Sequence, residues 1–152
     1  MRANIGGVEY LDMIDTDGLA IGVYFQGCKR RCKGCHNPTL QTFDNGFEMD
    51  VKDIFKPILE HINEYDSIAI MGGEPLEQLD ALEELLKISS SYGLKSWLYT
   101  GYNYEEVPWH ICKLANVIVA GEYIEELRTN GFPASSNQVV SFSSEVIRKK
   151  VE

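Results

Sequence analysis

"IGVYFQGCKRRCKGCHNP", residues 21–38, changes character partway along. Its opening is β-branched and aromatic and ends at Gly27, the pattern of a short buried strand. Beyond Gly27, Cys28, Cys32 and Cys35 stand in a C-x3-C-x2-C spacing, with Lys29, Arg30, Arg31 and Lys33 between them. A buried strand that runs straight into a cysteine loop sets the expectation for the rest of the chain. Downstream, "SIAIMGG" (67–73), "LKSWLYTGY" (94–102) and "NVIVAG" (116–121) repeat the strand-then-glycine form, and "NQVVSF" (137–142) reads as a fifth strand.

Helical patterns alternate with these strands. Val51, Ile54, Phe55, Ile58, Leu59 and Ile62 recur at helical spacing behind Asp50, an N-cap residue type. Leu76, Leu79, Leu82, Leu85 and Leu86 mark a second amphipathic helix that ends near Gly93, and a third is expected from about Tyr104 to Leu114. Strand–helix alternation predicts an α/β fold with a mostly parallel sheet. A closed eight-fold barrel takes about 250 residues, so 152 allow only a partial, open barrel or an open sheet. In such folds the active site sits at the carboxyl ends of the strands, where the cysteine loop, "GGEP" (72–75) and "TGY" (100–102) all fall.

No repeat, low-complexity tract or linker divides residues 1–152, so one domain is expected. The formal net charge of −9 argues against a nucleic-acid binder, which needs a basic surface. No apolar run approaches the roughly 20 residues of a membrane span, and "MRANIGGVEY" lacks a signal peptide's apolar core. A cytoplasmic protein away from membranes is the expectation, and in a reducing compartment four cysteines point to metal or redox chemistry before disulfides.

Three thiolates so close can wrap a compact metal centre. A structural zinc site would want four protein ligands. His36 directly follows Cys35, which makes joint tetrahedral ligation awkward, and Cys112 falls in a predicted helix that the sequence does not bring to the loop. A [4Fe–4S] cluster held by three cysteines instead leaves one iron open to a substrate or cofactor. Iron–sulfur is the favoured reading, with zinc and incidental cysteines as alternatives.

The C-x3-C-x2-C loop after one strand and "GGEP" after the next resemble the radical S-adenosylmethionine (radical SAM) superfamily. That resemblance implies a partial radical-SAM β/α barrel. It also implies a [4Fe–4S] cluster on Cys28, Cys32 and Cys35 whose open iron is chelated by SAM, and a reduced cluster that cleaves SAM to a hydrogen-abstracting radical. Gly34, Cys35, His36, Gly72, Gly73 and Glu74 would meet SAM, the Glu74 carboxylate accepting from the SAM ammonium. "YTGYNYEEV", "VIVAGEYIEELR" and "SSNQVV" extend the likeness over nearly the whole chain, to the anaerobic ribonucleoside-triphosphate reductase activating proteins. The implied partner is the large subunit of that reductase, on which a glycyl radical is made. Flavodoxin or a similar protein would be the electron donor. Ala20, Ala120 and Ala134 depart from the relatives' usual residues.

Duller readings stand beside these. "GGEP" is also a strand-ending turn, the basic run a solvated loop, and "SSNQ" a turn by composition. His61 reads as a core-edge histidine and Cys112 as a small buried hydrophobe. Two rival functions remain. One is a radical SAM enzyme acting on a small molecule, as in the 7-carboxy-7-deazaguanine synthase branch; the other is a non-enzymatic zinc-binding adaptor.

Overall fold

A computed structural model describes residues 1–29, 35 and 38–143. Seven strands form one sheet in the order β3-β1-β2-β4-β5-β6-β7. They are β1 (Arg2–Asp12), β2 (Ala20–Phe25), β3 (Phe47–Asp50), β4 (Ser67–Gly72), β5 (Lys95–Thr100), β6 (Val117–Ala120) and β7 (Val139–Phe142). The four central strands β2, β4, β5 and β6 are parallel, while β3, β1 and β7 join antiparallel. The sheet is therefore mixed rather than mostly parallel, and it does not close.

The antiparallel strand β1 carries an irregular pattern. A register shift falls between Ile5 and Gly7, and a second between Glu9 and Asp12. Before the first shift the core-facing residues are Ala3 and Ile5; after it they are Val8 and Tyr10. The two-residue alternation that would announce a strand is broken at Gly6–Gly7. β3, "FEMD", is short and acidic, as befits an edge strand.

One face of the sheet carries Ile21, Val23, Phe25, Ile68, Ile70, Leu98 and Ile118 into the main core. Helices cover it: α1 (Leu79–Ser91) contributes Leu82, Leu85 and Leu86, and α2 (Trp109–Leu114) contributes Ile111. The segment Val51–Glu64 is a 3₁₀ helix, capped by the Asp50 carboxylate on the Lys52 amide, and buries Val51, Ile54, Phe55 and Ile58. Leu59 is exposed instead of core-facing. His61 is solvent-exposed too, 3.3 Å from Glu64, while Ile62 beside it still packs against the core. The helix expected over 104–114 breaks into a 3₁₀ turn (Tyr104–Glu106) and α2, since Pro108 lacks the amide that would continue it. Cys112 is half-buried against the core, its Sγ directed at the Val107 carbonyl at 3.8 Å.

The opposite face has no helical layer among the described residues. Gly22, Tyr24, Met71, Tyr99 and Val119 lie on it by alternation with the core residues. The described residues contain no helix long and apolar enough to cross a membrane.

Candidate functional site

The site forms where β2, β4 and β5 end together. β2 leads into Gln26, Gly27 and Cys28, and the chain returns past them: the Gly27 amide donates to Leu40 O at 2.8 Å and the Cys28 amide to Gln41 O at 2.9 Å. Gln26, 1% exposed, donates from its side-chain amide to the carbonyls of Thr39 (3.1 Å) and Thr42, tying the returning limb to the strand end. Gln78 holds the other side, accepting from the Asn4 amide at 2.8 Å and donating to the carbonyls of Asn4 and Gln26.

The "GGEP" turn is pressed against this loop. The Gly73 amide donates to Phe25 O and the Glu74 amide to Gly27 O, each at 2.8 Å. Gly72 sits at φ +123°, a conformation that side chains disfavour, and a Cβ on Gly73 would strike the carbonyls of Gly27 and Leu40. Both glycines are thus demanded by backbone meeting backbone.

Glu74 is 1% exposed. Its carboxylate accepts from Thr100 Oγ1 (2.8 Å), the Gly101 amide (2.7 Å) and the Leu76 amide (3.0 Å), which joins the end of β4 to the end of β5. Glu77 extends the join: the Tyr102 hydroxyl donates to it at 2.7 Å, and Lys29 lies 3.4 Å from it.

These elements open onto a cavity of about 610 Å³. Cys28, Cys35, Gly72, Gly73, Glu74, Thr100 and Gly101 line one end; Met71, Tyr99, Val119, Tyr123 and Phe132 line the apolar remainder. Asp15 and the largely solvent-exposed Ile14, from the β1–β2 connection, line it as well. Asp12 lies behind them, 3% exposed, its Oδ1 accepting the amides of Ile14 (3.0 Å) and Asp15 (3.1 Å). Burial, then Asp12, pushes the Asp15 carboxyl up to about 7. Burial also works against an ionised Asp12, but hydrogen bonds from Asp15 and from the two amides prevail and hold it below the usual range.

The "SSNQ" stretch is more than a turn. Ser135 is fully buried and its Oγ accepts the Ile124 amide at 3.3 Å. Asn137 and Gln138 donate to the carbonyls of Glu122 and Gly121, so this stretch fixes the chain leaving β6 beside the cavity.

Of the residues singled out in the sequence, Cys28, Cys35, Gly72, Gly73 and Glu74 meet at one cavity. Cys32, Gly34 and His36 lie outside the described residues, as do Arg30, Arg31 and Lys33. Among the described residues no group of three metal-ligating side chains forms, and no disulfide joins Cys28, Cys35 or Cys112. Two half-buried thiols on one cavity wall are a fitting part of a three-thiolate iron–sulfur donor set. Asp15, Tyr99 and Phe132 escaped the sequence reading. Asp15 carries no motif, and the two aromatics, like any aromatics in or near a strand, carry no sign of which face they take.

The chain matches the family described as a 4Fe-4S single cluster domain over residues 14–141. It is 32% identical over 118 residues to a pyruvate formate-lyase-activating enzyme of Clostridium pasteurianum, covering 72% of this chain and 50% of that protein. The enzyme of the same name in Listeria monocytogenes is 31% identical over 94 residues, 59% of this chain and 38% of that one. In Staphylococcus aureus the corresponding figures are 31% over 105 residues, 66% and 42%. The chain thus spans half or less of the length of these relatives. With the cysteine motif and its cavity inside the matched span, the chain belongs to the 4Fe-4S single cluster domain family.

Proposed function

We propose that this chain is a radical SAM activase that generates a glycyl radical on anaerobic ribonucleoside-triphosphate reductase. The observation that carries the reading is that Cys28 and Cys35 open onto the same cavity as Gly72, Gly73 and Glu74. Cys28, Cys32 and Cys35 hold a [4Fe–4S] cluster, and Gly34, Cys35, His36 and the 72–74 turn meet SAM. When bound and reduced, the cluster supplies the electron that breaks the sulfonium of SAM and so starts removal of a hydrogen atom from the target glycine. Gly72 and Gly73 offer backbone without a Cβ, and Glu74 keeps that backbone fixed to Gly101. The basic residues from Lys29 to Lys33 receive an acidic electron donor such as flavodoxin.

A protein substrate suits a sheet with one face bare of helices among the described residues, because small-molecule sites bury most of their ligand behind walls. The relatives named as activating enzymes support a protein substrate too. The "TGY" and "SSNQ" segments favour the reductase as partner. The relatives' names favour a second target, pyruvate formate-lyase.

The test is anaerobic reconstitution with iron and sulfide, then reduction with SAM and each candidate partner in turn. Methionine, 5′-deoxyadenosine and a glycyl electron paramagnetic resonance signal on the reductase are expected, the signal vanishing when its glycine is replaced by alanine. A signal on pyruvate formate-lyase alone transfers the reading to that target. SAM cleavage with no glycyl signal on either points to a small-molecule substrate. Stoichiometric zinc without acid-labile sulfide overturns the enzyme reading altogether.

A further inference from the structure

The wall of the cavity formed by Ile14 and Asp15 hangs on a pair of carboxyl groups. Asp12 Oδ1 holds the amides of Ile14 and Asp15, while Asp12 Oδ2 is buried with no hydrogen-bond partner, in the space that a Cβ on Gly22 would need. The Asp15 carboxyl lies within hydrogen-bonding reach of the Asp12 carboxyl, and the Asp15 carbonyl accepts from the Tyr99 hydroxyl. Two ionised carboxylates in contact and partly withdrawn from water repel each other, whereas one proton between them makes a charge-assisted hydrogen bond. The other groups facing the pair leave that choice to the proton. Glu9 on β1 adds negative charge; Tyr24 on β2, pushed up to about 12, and Tyr99 on β5, pushed higher still, stay neutral. Lys95 pairs with Asp17 at 3.2 Å on the same connection, and Asp66 takes the Leu19 amide at 2.9 Å.

We propose that Asp12 and Asp15 are positioning residues that share one proton, and that this shared proton holds Ile14 and Asp15 in place as a wall of the cavity. The proton on Asp15 supplies a donor to the Asp12 carboxylate. Opening the wall returns Asp15 to water and to an ordinary carboxyl, so opening releases the proton. Linkage sets the sign: between the ordinary carboxyl value of 3.8 and about 7, raising the pH favours the open form. The open population rises about tenfold per pH unit in that window and levels off above it. Resting on the activase reading, the wall is tight in mild acid and yields to an entering protein loop as the pH reaches neutrality.

The experiment is amide hydrogen exchange on the whole chain without SAM or partner, so that it does not depend on any activity. After correction for intrinsic exchange rates, protection of the Ile14 and Asp15 amides should fall about tenfold per unit from pH 5 to pH 7. The Leu19 amide, anchored on Asp66, should not change with them. Asp15→Asn keeps a donor toward Asp12 and cannot ionise, so its exchange should be independent of pH. Carbon-13 NMR of the Asp15 carboxyl in the unsubstituted chain supplies a second measurement should the variant fold poorly, with a titration near 7 expected. Flat exchange in the unsubstituted chain, an unchanged slope in Asp15→Asn, or a carboxyl titrating near its ordinary value would each overturn the proposal. None of those results bears on whether the cluster cleaves SAM.

Discussion

Glu74 shows how a motif residue can be visible while its work is not. "GGEP" drew attention to it, but the sequence does not say that β4 and β5 end level with each other. Only that alignment brings Thr100 and Gly101 to its carboxylate. Glu74→Ala would strand a buried hydroxyl and two amides. A loss of about 2–4 kcal/mol in denaturant unfolding is expected, given roughly 1–3 kcal/mol for each buried donor left unmatched and partial relaxation. Glu74→Gln retains one acceptor oxygen and should lose about half as much. Equal stability of all three proteins would show that the carboxylate serves SAM alone. Asp15 was illegible for the complementary reason. In "DMIDTD" an aspartate reads as a solvated turn, and only the packing of β1, β2 and β5 desolvates it.

At the level of elements, the central strands were readable because strands buried on both sides are continuously apolar. β1 and β3 were not, since one bulges at its glycines and the other is an acidic edge. The turn after β4 makes the strongest demand on its residues. Gly73→Ala would drive a methyl group into the Gly27 and Leu40 carbonyls, which belong to the outgoing and returning limbs of the cysteine loop. Removing that clash means separating the limbs from β4. The expected outcome is a normal far-ultraviolet circular dichroism spectrum, a stability loss of about 2–3 kcal/mol, and iron content after reconstitution well below that of the parent. Full iron loading would show that the limbs tolerate displacement.

For the molecule as a whole, the cluster reading predicts a division among the cysteines. Cys28→Ala, Cys32→Ala and Cys35→Ala should each lose the cluster, and Cys112→Ala, away at α2, should keep it. Iron and acid-labile sulfide analysis decides this. Binding then couples to stability. SAM at a hundred times its Kd adds about 2.7 kcal/mol, a rise in Tm of roughly 5–10 °C for a chain of this size. That rise should appear in cluster-loaded protein and be absent from the three cysteine variants. If SAM raises the Tm of cluster-free protein equally, it binds somewhere other than the open iron.

The strand order has a consequence for how such a site comes into being. From β2 to β4, β5, β6 and β7, each strand lies beside its predecessor, with only β3 set apart against β1. During synthesis from the N-terminus, Cys28, Cys35 and the glycine turn are all made before Phe132 and Gln138, which line the same cavity. The nascent chain therefore carries Cys28 and Cys35 before the residues that complete the cavity around them exist.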